Sequence, residues 1–222
     1  MRLILIGCEY AGKTTLAGEI TKWIRQTMGG GRGFHDHFTL PDSELTQVEQ
    51  EQLAALVPSL KEKFQRYMLD YHFHPAFYSD ADHLLAGFHI EEAVYAPLYY
   101  GYGGPGENAE RTSLARTMEE RIGELAPDTV LVLLKASAEV IAQRMKSNPH
   151  PGQVVQEKDI EFVLQRFEEQ YQKSLLRRKF TLDTTSAAVE ETLAEFEAAI
   201  EPLLTDSDRL RILAHQALKQ TQ

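Results

Sequence analysis

Residues 7–14 read Gly7-Cys8-Glu9-Tyr10-Ala11-Gly12-Lys13-Thr14 and match the pattern G-x-x-x-x-G-K-[ST] at every fixed position. The stretch directly follows a short apolar run, Arg2–Ile6 (RLILI), and it opens a segment with helical periodicity. Between a strand and a helix, such a loop points several backbone N–H groups and the positive helix N-terminus at one bound phosphate. The sequence therefore predicts a phosphate-binding loop at the end of a buried strand.

The polar residues of this loop have expected roles toward ATP and Mg²⁺. Lys13 is expected to reach the β- and γ-phosphates, the Thr14 hydroxyl to ligate Mg²⁺, and Thr15 to donate to an α-phosphate. Cys8 has two interpretations, a compact filler residue or a redox-sensitive thiol near a helix N-terminus. The expected nucleotide-binding residues are contiguous: Gly7, Cys8, Glu9, Tyr10, Ala11, Gly12, Lys13, Thr14 and Thr15.

Length and composition predict a globular cytoplasmic protein. The chain has 222 residues, 43% hydrophobic and 25% charged, which suits one buried domain with an insertion or a lid. No apolar run approaches the roughly 20 residues of a membrane helix, and the first residues lack the apolar region of a secretory signal. The single cysteine permits no internal disulfide. We therefore expect no membrane partner.

The charge balance argues against a nucleic-acid polymer as the partner. Lys and Arg number 23 against 33 Asp and Glu, and the formal net charge is −10. The largest basic cluster is Arg177-Arg178-Lys179, whereas nucleic-acid binders usually carry an extended basic face. The expected partner is a small-molecule phosphoryl acceptor, and a homodimer remains possible.

Strand-like and helical segments alternate along the chain. Apolar runs typical of strands lie at 2–6, 83–88, 129–134 and 180–183, with helical periodicity between them. Residues 33–37 are interpreted as a further short strand because they lie between a helix and the turn signal Pro41-Asp42-Ser43. This alternation predicts an α/β fold, a three-layer sandwich with a parallel five-stranded sheet and helices on both faces. Ligands of such sheets bind at the carboxyl ends of the strands.

One kinase-sized domain is expected over residues 1–205. Within it we expect a helical acceptor-binding insertion at 44–76, divided by Pro58, and a lid at 144–158. Residues 206–222 are polar and are expected to form a loosely attached C-terminal tail.

The sequence resembles the thymidylate-kinase-like and deoxynucleoside-kinase-like P-loop kinases. The resemblance covers residues 2–204 in outline and is detailed at residues 7–15, 130–144 (VLVLLKASAEVIAQR) and 159–171 (DIEFVLQRFEEQY). Asp183-Thr184-Thr185 is similar to the family's loop that borders the adenine. The N/T-K-x-D motif with which switch GTPases recognise guanine is missing after the strand at 129–134. The apolar strand ending in Asp-Glu that is typical of AAA-type and helicase ATPases is also missing. The resemblance implies ATP-dependent transfer of a phosphoryl group to a small molecule.

The chain departs from the thymidylate kinases at one motif. Where these carry an Asp-Arg-Tyr type motif, this sequence reads Phe88-His89-Ile90-Glu91-Glu92. The arginine that would hold an acceptor phosphate is absent there, which argues against nucleoside monophosphates as acceptors. Glu91-Glu92 is distantly similar to the acidic motif of deoxynucleoside kinases.

Phosphoryl transfer needs a carboxylate near the acceptor hydroxyl and cations near the γ-phosphate. Asp36 is the first candidate base, with turn capping as the alternative. Glu91 is the second candidate, as base or water-mediated Mg²⁺ contact, and Glu92 is its rival. In a strand the two face opposite ways; at the start of a helix both could be reachable, or either could simply complement the helix dipole. Arg144 is expected to close over the phosphates from the lid. Lys146 and Arg166 are further lid cations, with a solvated helix face as the better interpretation of Lys146.

Two clusters leave other interpretations open. The H-x-H pairs could bind zinc or line the acceptor pocket or the surface: His35, His37, His72 and His74. The tyrosines between the third strand and the next helix could stack on a planar acceptor or pack in the core: Tyr95, Tyr99, Tyr100 and Tyr102. The alternative functions are a P-loop ATPase or regulatory nucleotide-binding module, and a kinase for a non-nucleotide alcohol such as a sugar.

Overall fold

The chain forms a five-stranded parallel sheet. The computed structural model describes residues 1–30, 35–37, 45–73, 82–107, 109–149 and 152–220. The strands are β1 (Arg2–Ile6), β2 (His35–His37), β3 (His83–Gly87), β4 (Val130–Lys135) and β5 (Lys179–Asp183). Their order in the sheet is β2-β3-β1-β4-β5, and every neighbouring pair is parallel. The predicted α/β class and five-stranded parallel sheet are confirmed.

Helices flank the sheet. One group, α1, α8 and α9, packs together, and a second group, α4, α5 and α7, packs together. A π-helical turn, Ala96–Tyr100, follows α4 where the sequence predicted a loop, and a 3₁₀ turn, Glu157–Asp159, precedes α7. The helices are α1 (Lys13–Met28), α2 (Gln47–Ala54), α3 (Pro58–Tyr71), α4 (His89–Tyr95), α5 (Arg111–Leu125), α6 (Ala138–Ser147), α7 (Ile160–Lys173), α8 (Val189–Ile200) and α9 (Asp206–Gln220).

The central strands carry continuous apolar runs because both of their faces are covered. All five residues of β3 and the first five of β4 are buried, whereas the edge strand β5 is mostly accessible. Runs without alternation are typical of strands in a parallel sheet that helices cover on both sides. Among the described residues, no helix combines the length and apolar character needed to span a membrane.

Pro58 divides the helical insertion as predicted. Helix α2 begins with a capping box in which Thr46 accepts from the Glu49 amide while the Glu49 carboxylate accepts from Thr46 N at 2.8 Å. Helix α3 begins at Pro58, where a missing backbone N–H costs no helical hydrogen bond. The remaining parts of the expected insertion and acceptor region, 38–44 and 74–81, lie outside the described residues, and so does His74.

The expectation of a loosely attached tail is wrong. Residues 206–220 form α9, and its polar side chains bind the start of the chain and α1 instead of facing only solvent. The N-terminal amine of Met1 lies 2.9 Å from an Asp208 oxygen, and Arg211 bonds Asp82 at 2.7 Å just before β3. Lys219 donates to the Gln26 carbonyl at 2.6 Å. These contacts join residues more than 100 positions apart in sequence, a relation that local periodicity does not report.

Candidate active site

The phosphate loop fits tightly between β1, β4 and α1. Gly7 has φ +150°, and a Cβ built there would lie 2.5 Å from the Leu134 carbonyl oxygen of β4. Only glycine combines this backbone conformation with so close an approach. Ala11 N donates to Cys8 O at 3.1 Å and closes the turn inside the loop. The sequence pattern therefore coincides with a loop at the carboxyl end of the central strand.

Lys13 and Glu91 meet in a buried ion pair. Lys13 Nζ lies 2.8 Å from Glu91 Oε1, with side-chain exposures of 4% and 1%. The same ammonium donates to Gly7 O at 2.7 Å and to Cys8 O at 3.2 Å inside the loop. Burial alone lowers the pKa of Lys13, but the Glu91 carboxylate outweighs it and holds that pKa above its ordinary value. Two residues predicted from separate motifs are thus in direct contact.

An abrupt turn between β3 and α4 brings Glu91 to the loop. Phe88 is fully buried and has φ +66°, a conformation that bulky residues rarely adopt. Because the chain turns at Gly87 and Phe88, which both have a positive φ, Glu91 lies in the first turn of α4. Such strain often accompanies functional sites. No signal in the sequence identifies this conformation.

Glu92 points to different partners from Glu91. Its Oε2 accepts from Arg111 Nε at 2.8 Å, and the Tyr102 hydroxyl lies 3.2 Å from its Oε1. The open choice between strand and helix at these residues is therefore decided in favour of a helix, with neighbouring carboxylates directed to separate partners. Glu91 contacts the phosphate loop, whereas Glu92 belongs to a buried ion pair with Arg111.

Asp36 lies on β2, whose backbone pairs with β3 at Ala86. Its side chain and those of His35 and His37 lie outside the described part of the structure. His72 is buried, and its Nδ1 lies 2.8 Å from the Met68 carbonyl oxygen. Within the described ranges no group of three metal-ligating side chains comes together. Asp36 stays a predicted base, and zinc binding by the H-x-H pairs stays an open interpretation, because the side chains of His35, His37 and His74 lie outside the described residues.

Arg144 joins the phosphate loop to the segment after β5. Its guanidinium donates to Tyr10 O at 2.9 Å, to Thr184 O at 2.6 Å and to the Thr184 hydroxyl at 3.1 Å. The hydroxyl of Thr184 in turn lies 3.0 Å from Ala11 O. Arg144 thereby holds the loop from outside, and its closure over bound phosphates stays a prediction.

The other two lid cations are paired away from the loop. Arg166 bonds Glu169 on its own helix at 2.6 Å. Lys146 pairs with Glu157, and both side chains are more than half exposed. Exposed pairs of this kind contribute little, so neither cation is positioned toward the phosphate loop by its contacts in this structure.

Two clefts are candidates for ligand binding, and the first of them is lined in part by the phosphate loop. The first has a volume of about 320 Å³ and is lined by Tyr10, Gly12, Thr15, Arg144 and Thr184 among others, which combines loop residues with the predicted adenine border. The second, of about 480 Å³, lies between the insertion and the lid. It is lined by residues of α2 and α3, by two tyrosines and by the segment at 152–156: Gln47, Gln50, Glu51, Ala54, Lys61, Tyr99, Tyr100, Gly152, Gln153, Val154 and Gln156.

The four tyrosines of the aromatic cluster have separate surroundings. Tyr95 is buried, and its hydroxyl accepts from Glu9 N at 3.0 Å, so it supports the phosphate loop from α4. Tyr102 bonds Glu92. Tyr99 and Tyr100 line the second cleft, and stacking of a planar acceptor on them stays a prediction.

Cys8 is expected to resist alkylation in the folded protein. The side chain is fully buried, and burial raises the pKa of its thiol to about 12 although Lys13 nearby lowers it. Because the thiolate is the reactive form, iodoacetamide at pH 8 should label native protein at least about 10³-fold more slowly than a free thiol.

Mass spectrometry of native and urea-unfolded samples measures this rate, and the single cysteine makes the reading unambiguous. Rapid labelling of the native protein would instead support the redox-sensitive thiol.

Comparisons with known proteins place the fold. No family model and no curated protein matches the chain. Among solved structures, deoxyadenosine kinase from M. mycoides with bound dATP has a TM-score of 0.58 at 17% identity, covering 90% of this chain and 99% of that one. Thymidylate kinase from Candida albicans has a TM-score of 0.58 at 15% identity, with coverage of 90% and 91%.

A third solved structure, a gluconokinase from Sinorhizobium meliloti, has a TM-score of 0.51 at 14% identity, with coverage of 91% and 92%. These three proteins are P-loop kinases. Their names give acceptors of different kinds, among them a nucleoside for deoxyadenosine kinase and a nucleotide for thymidylate kinase. At such low identities the likeness reports the fold and leaves the acceptor open. The chain therefore has the fold of the P-loop kinases, with the phosphate loop, the Lys13–Glu91 pair and the first cleft at the carboxyl edge of its sheet.

Proposed function

We propose that the chain is an ATP-dependent kinase that transfers the γ-phosphoryl group to a hydroxyl of a small molecule, with a nucleoside or nucleotide as the favoured acceptor class. The observation that carries the proposal is the buried contact of 2.8 Å between Lys13 and Glu91. It combines a phosphate-loop lysine with a carboxylate near the reacting centre, the two charged groups that phosphoryl transfer requires.

The Lys13–Glu91 pair suggests how the site changes when ATP binds. The triphosphate offers Lys13 a stronger anionic partner than one carboxylate, so Lys13 would move from Glu91 to the β- and γ-phosphates. Glu91 would then be free to accept the proton of the acceptor hydroxyl while the oxygen bonds to the γ-phosphorus and the bond to the ADP oxygen breaks. Asp36 is the alternative acceptor of that proton.

The donor set suits Mg²⁺. Thr14 is exposed at the mouth of the loop, and Glu91 offers carboxylate oxygens on its inner side. Hydroxyl, carboxylate and phosphate oxygens are the hard ligands that Mg²⁺ prefers. When bound, the ion would neutralise charge on the β- and γ-phosphates, with Thr14 as direct ligand. Where Asp36 is the base, Glu91 would instead contact the ion through water.

The second cleft is the proposed acceptor pocket. Its described lining offers the faces of Tyr99 and Tyr100 for a planar base and the amides of Gln47 and Gln50 for its polar edge. Lys61 is the one cation in that described lining. A single cation suits a neutral acceptor better than a phosphorylated one, so a nucleoside is favoured over a nucleoside monophosphate.

An acceptor screen with the full chain tests the proposal. ATP–Mg²⁺ is incubated with nucleosides, nucleoside monophosphates and sugars, and both ADP release and the mass of each acceptor are measured, with EDTA as control. Magnesium-dependent gain of one phosphoryl group by a nucleoside supports the proposal. ADP release without any phosphorylated product would overturn it in favour of the ATPase alternative, and products from sugars alone would overturn the acceptor class.

A further inference from the structure

A buried carboxylate inside the phosphate loop holds the lid. Glu9 is 2% exposed, and its two oxygens each lie 3.1 Å from the Val154 amide nitrogen. The Val155 amide donates to Glu9 Oε2 at 2.8 Å. Two consecutive lid amides therefore point at one side chain of the loop, and hydrogen bonds to a charged acceptor are stronger than those between neutral groups.

The next residue of the loop makes a second contact with the same lid segment. The Tyr10 hydroxyl donates to Gln153 Oε1 at 2.7 Å. Gln153 Nε2 then donates to the Val155 carbonyl at 3.0 Å, which stiffens the segment internally. Val155 is buried, so the segment is seated in the protein and is not a free surface loop.

The segment tied to Glu9 is also a wall of the proposed acceptor pocket. Gln153 and Val154 line the second cleft, and so do their neighbours Gly152 and Gln156. The position of this wall therefore depends on a side chain of the nucleotide-binding loop. The pattern of the loop does not require an acid at Glu9, because that position is unconstrained in G-x-x-x-x-G-K-[ST].

Electrostatics explains why the carboxylate is directed to the lid. A negative charge in a loop built for phosphates would repel the nucleotide if it faced the phosphates. The Val154 and Val155 amides stabilise the buried charge. Glu9 was predicted as a nucleotide-binding residue, but in this structure its amide donates to the Tyr95 hydroxyl and its side chain contacts the lid.

We propose that Glu9 is a positioning residue that sets the lid wall of the acceptor pocket from the phosphate loop and so couples acceptor binding to the nucleotide site. The inference rests on the proposed kinase function. Removal of the carboxylate should release residues 153–155, widen the pocket and weaken acceptor binding. The loop's contacts to ATP are made by other groups, so nucleotide binding should change much less.

Hydrogen exchange tests the hydrogen bonds between Glu9 and the lid without any acceptor molecule. Glu9→Ala removes both acceptor oxygens, whereas Glu9→Gln keeps one, so exchange at Val154 and Val155 should accelerate at least about 10-fold in the first variant and less in the second. Glu157→Gln is the matched control, a carboxylate-to-amide change at an exposed position of the same lid, with unchanged exchange expected. Unchanged exchange at Val154 and Val155 in Glu9→Ala would overturn the proposal, whether or not the chain is a kinase.

Steady-state kinetics with the acceptor identified in the screen tests the coupling. In Glu9→Ala we expect the acceptor KM to rise roughly 10-fold or more, with the Kd of ATP–Mg²⁺ within about 3-fold of wild type. Glu9→Gln should recover part of the KM. Faster exchange with an unchanged acceptor KM, or an equal loss of ATP affinity, would overturn the coupling. Absence of any product in the wild type would instead overturn the proposed function and leave the exchange result standing.

Discussion

Replacing Lys13 with alanine is expected to remove phosphotransfer and to destabilise the fold at the same time. Loss of one preorganised charged donor at a reacting centre lowers kcat by about 10²–10³-fold or more. In this chain the change also leaves Glu91 buried without its cation. Breaking a buried ion pair from one side costs about 3–5 kcal/mol. The sequence pattern of the phosphate loop alone predicts the loss of phosphotransfer but not the loss of stability.

A second substitution separates the two effects. In Lys13→Ala with Glu91→Gln, the buried charge is gone, so most of the lost free energy of unfolding should return while activity stays absent. Urea unfolding and the ADP-release assay measure the two quantities on the same samples. A Lys13→Ala variant as stable as the wild type, or a double variant that transfers phosphate, would contradict the role of the pair.

Titration of Lys13 does not disturb these measurements near neutral pH. Its pKa in the folded chain is raised above the ordinary 10.5, so the stability contributed by the charged ammonium is fully present below that ordinary value. It is lost only as the pH rises through the higher folded pKa. Assays between pH 7 and 8 therefore compare the variants with a wild type in which the Lys13 ammonium is charged.

Local patterns were enough to predict the frame of the site. The apolar run Arg2–Ile6, the glycines of the loop and the periodicity that follows act over few residues, and each forms the element that it predicts. Pro58 begins a helix for a reason contained in its own ring. Alternation of strands and helices then restricts the topology to a parallel sheet, so the carboxyl edge and the loop on it follow from the sequence.

Partners of buried charges could not be predicted in the same way. Glu91 and Glu92 are adjacent and chemically equal, yet one bonds the phosphate loop and the other bonds Arg111. Their different partners depend on the backbone turn at Phe88, whose positive φ is a conformation that bulky residues seldom adopt. Arg144 was predicted from a resemblance, but no local signal marked Arg111. Contacts between distant residues come from the assembled fold, where pattern and propensity carry no information.

Arg111→Met is expected to destabilise the protein as strongly as any single change outside the phosphate loop. Arg111 side-chain exposure is 1%, and its Nε and Nη1 bond Glu92 at 2.8 Å and Glu62 at 3.1 Å. The guanidinium also lies 4.8 Å from the ring centroid of Tyr102. Methionine fills similar space but leaves the buried Glu92 without its cation, while Glu62 keeps only its pair with the half-exposed Arg66. The expected loss of unfolding free energy is about 3–5 kcal/mol.

Arg111 also connects the helical insertion to α4, the helix that carries the candidate base Glu91. Glu62 lies on α3, whose neighbour Lys61 lines the proposed acceptor pocket, while Glu92 lies beside Glu91 on α4. The backbone at Gly103, with φ +75°, packs so closely on Arg111 that any Cβ there would clash with it. The network therefore fixes the distance between the pocket wall and the phosphate loop, and its loss should raise the acceptor KM as well.

Arg116→Met is the matched control on the same helix. Arg116 is exposed and lies 3.9 Å from Glu120 in an i,i+4 pair, so its replacement should change stability by less than about 0.5 kcal/mol. Arg111→Met should lower the midpoint of thermal unfolding by roughly 6–20 °C for a chain of this size. Arg111→Met with Glu62→Gln and Glu92→Gln should recover much of that loss, because a buried network replaced as a whole leaves no unpaired charge. Equal midpoints for the two methionine variants would mean that the ion pairs of Arg111 do not stabilise the fold, and the insertion would then have to be held by apolar contacts alone.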